Sequence, residues 1–128
     1  MLDERVILSA LLVERRIYVS LSELLETTTE LSDALKRQDQ VSFQLYLSMR
    51  QEFLNQISEY RATLKKQCAD LPREEGECLR GILNGTSQES GGQPLADQIR
   101  KNRALYDRIL QADKLISRRL CGTKSFYQ

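Results

Sequence analysis

The sequence predicts an all-α fold: an antiparallel bundle of three long helices, with a short additional helix before a flexible linker. Apolar residues recur at intervals of three and four over long runs, the repeat that keeps side chains on one helical face. Helix breakers are scarce: two prolines and six glycines occur, and five of the glycines fall between Gly76 and Gly92. At 128 residues the chain is one domain, long enough to bury a core without metal or disulfide staples.

The first helix is expected over 3–37. Val6, Ala10, Val13, Ile17, Leu21, Leu24, Thr28, Leu31 and Leu35 are separated only by threes and fours. A second row, Leu11, Tyr18 and Leu25, widens this face, so the helix can touch two neighbours. Thr27-Thr28-Thr29 is its weak spot, because β-branched side chains lose rotamer freedom in a helix, and a bend or local loosening rather than a break is expected there. Arg37-Gln38-Asp39-Gln40 forms the corner, with Asp39 placed to cap the next helix through its carboxylate. So short a connection makes the first two helices an antiparallel hairpin.

The second helix, 39–71, is the stretch around which the rest is expected to be organised. Phe43, Tyr46, Phe53, Ile57, Tyr60, Leu64, Cys68 and Leu71 mark its apolar stripe, and no Gly or Pro interrupts it. At about 1.5 Å per residue it would reach roughly 45–50 Å, and its one-sided stripe needs partner helices. Pro72 ends it and opens a short helix over 73–83, weakened by Gly76 and Gly81 at about 1 kcal/mol each relative to Ala. Asn84-Gly85 is a stop, and 84–93 is a polar, flexible linker. Pro94 restarts a helix expected over 94–120, with Gln98 and Asn102 near an otherwise apolar seam. Cys121-Gly122 ends that helix, leaving 121–128 as a tail.

The chain has no histidine, which removes the commonest general base and the commonest metal ligand. Glu23, Glu26 and Glu30 share a helical face, as do Glu74 and Glu77, and solvated surface is the reading for both sets. Cys68, Cys78 and Cys121 contain no CxxC pair and read as thiols of a reducing compartment. No enzyme, metal site or cofactor is expected. Val6–Val13 is too short to span a bilayer and lacks the positive flank of a signal peptide, so membrane insertion is not expected and the location reads as cytoplasmic. The net charge of +1 gives no global argument for nucleic acid. From Leu95 onward, eight Lys or Arg stand against three Asp, while the preceding residues carry a net −4. That basic helix can rim a surface for an acidic partner.

Several stretches resemble the flagellar export chaperones of the FlgN type. Lys36-Arg37-Gln38-Asp39 followed by Leu47, Arg50-Gln51 and Ile57 is similar to that family's acid corner and Leu, Arg-Gln/Glu, Ile run. Asn102-Arg103-Ala104-Leu105 with Ile109 and Leu110 is similar to its client-binding C-terminal helix, and Tyr127 to a tyrosine of its tail. The resemblance implies a small, non-enzymatic, cytoplasmic helical protein that holds hook–filament junction subunits by their C-terminal helices before type III secretion. It places partner binding on Leu105, Ile109, Ala112 and Ile116, with a protein client as partner. The alternative is a structural or adaptor bundle without an export role, in which one face pairs with itself as a homo-oligomer.

Overall fold

A computed structural model describes residues 2–87, 89 and 91–127, with side chains placed through Cys121. The fold is all-α: α1 (Glu4–Lys36), α2 (Gln40–Ala69), α3 (Arg73–Asn84) and α4 (Gln93–Tyr127). Cross-helix hydrogen bonds set their directions. Ser20 donates to Gln56 at 3.0 Å and Arg50 to Thr28 at 3.0 Å, so α2 runs antiparallel to α1. Asn102 reaches Glu14, and Asp113 meets Arg50 at the level of Thr28. α4 is therefore parallel to α1 and antiparallel to α2, an up–down–up bundle with α3 in the long return.

The organising helix is α1, not the 39–71 stretch that the sequence points to. α1 buries thirteen residues, whereas α2 buries Ile57, Leu64 and Cys68 alone among its described residues. The cause is the width of the apolar face. The double row of α1 packs against α2 on one side and α4 on the other. The single stripe of α2 is covered from one side, and its first turns leave Val41 83% and Leu45 57% exposed.

Caps define the helix ends. The Asp3 and Asp39 carboxylates accept from the backbone N–H groups of Arg5 and Ser42, each at 3.1 Å. The corner between α1 and α2 is a Schellman turn, with the Asp39 N–H on the Ala34 carbonyl at 2.9 Å and Gln38 left-handed at φ 59°. Such a backbone in a residue with a Cβ costs about 1–2 kcal/mol. Gly85 ends α3 in the same way at φ 76°, without that cost.

α1 runs through Thr27–Thr29 without a break, as expected, and there the buried Thr28 hydroxyl donates to the Leu24 carbonyl at 2.7 Å and accepts from Arg50. Two expectations on local structure change. Gly76 is more than a weak point of α3: a Cβ there would lie 2.5 Å from the Cys68 carbonyl oxygen, so the absence of a side chain lets α3 close onto the end of α2. The expected tail, 121–128, is helical to Tyr127, since one glycine at 122 costs a helix only about 1 kcal/mol; Gln128 lies outside the described residues.

The linker shortens to the residues between Asn84 and Gln93, of which Gln88 and Ser90 lie outside the described residues. Its first part folds back on α3, with the Thr86 and Ser87 N–H groups both on the Gly81 carbonyl. Glu89 accepts from the Cys78 thiol at 3.2 Å.

Candidate functional site

α2 and α4 each pack on α1, but their backbones do not pack closely on one another. The gap between them is a crevice of about 340 Å³, floored by Ile17, Leu21, Leu64 and Ile99. The end of α3, Leu83 and Asn84, closes it on one side. Arg61 and Lys65 of α2 and Arg103 and Tyr106 of α4 form its rim. Long side chains span the gap: the Arg61 guanidinium lies 5.6 Å from the centroid of the Tyr106 ring, a cation–π distance. Arg103 donates to the Leu83 carbonyl at 3.3 Å, tying α4 to α3.

A single acidic side chain lines the crevice. Glu14, 9% exposed, sits between α1 and α4. The Asn102 amide donates to its carboxylate at 2.5 Å and to its backbone carbonyl at 2.9 Å, while Gln98 donates to Asn102 at 3.1 Å. Burial raises the Glu14 carboxyl above its ordinary value, against the opposing pull of the Asn102 hydrogen bond and the positive charges of Arg61 and Arg103. The Gln98–Asn102–Glu14 chain satisfies polar groups that would otherwise stand unpaired in the α1–α4 seam.

Arg50 closes the far end. Its guanidinium makes a bidentate pair with Asp113, at 2.5 and 2.7 Å, directly over Thr28. The run that resembles a family motif thus contributes a clamp of α2 to α4, while Gln51 turns outward onto Asn55.

Between that clamp and α3 the groove has apolar flanks. Leu54 precedes Arg61 by seven residues and so shares its face of α2, and Leu47, a further seven back, continues that face just beyond the clamp. Leu110 follows Tyr106 by four on α4. Leu47, Leu54, Tyr106 and Leu110 are 36–40% exposed, a high value for large apolar side chains placed beside a core.

The residues assigned to partner binding by resemblance lie elsewhere on α4. Asn102 faces Glu14 of α1, and Leu105, Ile109 and Ile116 follow it by three, seven and fourteen residues, on the same face. They are 8%, 2% and 6% exposed, and Ala112 is half-buried. Leu105 and Ile109 belong to the core that α4 shares with α1 and Ile116 is buried on the same face, so a partner reaches these three only when α4 leaves α1, whereas Ala112 is partly accessible. The rim residues Arg61 and Lys65 carry no mark in the sequence that separates them from solvated helix surface, and Tyr106 reads there only as part of the apolar stripe of the last helix. Glu14 does carry one, since it falls in register with the apolar rows of α1.

Other candidate chemistry is dispersed. Glu23, Glu26, Glu30, Glu74 and Glu77 are exposed, and Glu77 pairs with Arg73 at 3.3 Å. Burial pushes the Cys68 and Cys78 thiols up, and at Cys78 the hydrogen bond and charge of Glu89 add to it, so neither is primed as a thiolate. Among the described residues no group of three Cys, Asp or Glu gathers at metal-binding distance, and no helix is long and apolar enough to cross a membrane. Against known proteins, the chain matches no family model, no curated relative and no solved structure.

Proposed function

We propose that the chain is a non-catalytic, FlgN-like export chaperone that takes an amphipathic client helix, drawn from a hook–filament junction subunit, into the groove between α2 and α4. One observation carries the reading: two helices stand on a shared third helix without closing on each other, and the gap keeps apolar flanks at Leu54, Tyr106 and Leu110. A fourth helix laid there would complete a four-helix arrangement and bury those side chains, the usual logic of helix-in-groove recognition. The client meets this lateral face, while Leu105, Ile109 and Ile116 hold α4 in place beneath it.

Calorimetric titration with the C-terminal helical segment of the cognate junction subunit tests it. One-to-one binding is expected, weakened at least about tenfold by Leu54→Asp or Leu110→Asp at unchanged helicity. Absence of binding, or indifference to both substitutions, removes the reading.

A second reading has its own observation. Leu8, Leu12 and Val19 lie on the outward face of α1 and are 49%, 55% and 56% exposed. A homo-oligomeric bundle would pair that face with itself. Sedimentation over a concentration series decides: a dimer dispersed by Leu12→Glu supports it, and a monomer at all concentrations eliminates it.

A further inference from the structure

We infer that the crevice at the α3 end of the groove receives a carboxylate side chain of the client helix, so that the preferred client carries an acidic residue two helical turns from an apolar anchor. The inference rests on the helix-binding reading above and specifies its chemistry.

The charge arrangement at the rim is the first ground. Arg37, Arg50, Lys66, Arg73 and Arg100 each have a carboxylate partner. Arg61, Lys65 and Arg103 have no carboxylate at ion-pair distance among the described residues, a state they share with Arg15, Arg16, Arg80 and Arg108; what sets them apart is that they converge on one opening. Three cations held together repel one another unless an anion joins them. Glu14, the one carboxylate lining the crevice, is close enough for the charges of Arg61 and Arg103 to act on it, but one buried negative charge against three cations leaves the opening net positive.

Size and spacing are the second ground. The crevice, about 340 Å³ and open to the groove, has room for side chains reaching in from a helix laid along it. Leu54 lies seven residues from Arg61, or roughly 10 Å along α2. A client helix lying along α2 matches both features with an acid and an apolar residue seven positions apart. Between Arg50 and Lys65 the groove runs roughly 22 Å, room for about four turns.

The apolar floor strengthens the contact. Beneath the three cations Ile17, Leu21, Leu64 and Ile99 form the apolar part of the lining, beside Glu14 and Asn102, and a carboxylate placed there meets the cations at lower effective dielectric than on open surface. An acidic side chain is thereby selected over its amide, because only the charged form answers the rim.

Fluorescence titration with three eighteen-residue amphipathic peptides tests this. All carry the same leucine stripe, and the residue two turns from the central leucine is Glu, Gln or Lys. The full chain is expected to bind the Glu peptide about tenfold tighter than the Gln peptide, and the Lys peptide least. Arg61→Glu/Lys65→Glu, both positions exposed, should reverse that order with helicity unchanged, and Glu14→Gln should strengthen binding of the Glu peptide. Equal affinity for all three peptides overturns the inference while leaving the groove reading standing. Binding of none overturns both. Discrimination that survives Arg61→Glu/Lys65→Glu places the acid elsewhere and overturns the assignment to this crevice. A dimer of the chain that peptide fails to displace from the groove makes a second copy the occupant, with the same consequence.

Discussion

Glu14 is the one carboxylate buried among the described residues, and its two hydrogen bonds from Asn102 make it a sensitive point. Removing one partner of a buried polar pair leaves the other desolvated, whereas replacing both with apolar groups is close to neutral. Asn102→Leu should therefore cost about 2–4 kcal/mol at neutral pH, and Glu14→Leu/Asn102→Leu should recover most of that loss. The pH dependence has a definite sign. Burial raises the folded-state carboxyl above 4.5, so the folded chain holds this proton more tightly than the unfolded chain. The wild type then loses stability relative to Glu14→Gln as pH rises from about 4.5 through the folded value, and the gap vanishes below 4.5. Urea unfolding at several pH values measures it. A gap that stays constant with pH would show that Glu14 ionises as easily folded as unfolded.

Among the helices, α4 is docked by a face of its own and keeps a second face beside the groove. Leu95, Ile99, Leu105, Ile109 and Ile116 are each at most 8% exposed. Burying one such side chain contributes about 1.5–3 kcal/mol, and placing a carboxylate there adds a desolvation cost. Ile109→Asp should thus destabilise by more than about 3 kcal/mol and cost helical signal as α4 undocks. Leu110→Asp, one residue on and 40% exposed, should change stability by under about 0.5 kcal/mol. Thermal melts followed by circular dichroism compare them. Equal stability of the two variants would mean that α4 does not dock as described. This contrast also marks what the sequence made legible. The threes and fours of α1, α2 and α4 announced the helices, Asp39 its cap and Pro72 the break. Periodicity names an apolar face without saying what covers it. The stripe of α4 accordingly fits closure of the bundle on α1 at least as well as it fits a client. Arg61, Lys65 and Arg103 become a cluster only when α2, α3 and α4 converge, so their tertiary origin hid them. The mismatch between a broad face on α1 and a narrow one on α2 was visible, but its consequence for which helix lies at the centre needed the packing.

At the scale of the whole molecule, the arrangement is a central helix with two wings. α1 touches both α2 and α4, while α3 joins the wings at one end and the Arg50–Asp113 pair bridges them further along. Local opening follows contact density, so regions with few buried apolar contacts open first. Amide hydrogen exchange should therefore be slowest from Ile7 to Ala34, where α1 is enclosed on two sides. It should be intermediate over Phe53–Cys68 and Leu95–Ile116, each packed chiefly against α1. The first turns of α2, with Val41 and Leu45 exposed, should exchange by local fraying, well ahead of global unfolding. Client binding in the groove should slow exchange in Phe53–Lys65 and Arg103–Asp113 together, because one helix would brace both wings. Protection of α4 alone would place the client on a different face. Fast exchange across Leu95–Ile116 in the free chain would mean that α4 leaves α1 readily. Leu105, Ile109 and Ile116 would then be open to a partner after all, and the site would move from the groove to the inner face of α4.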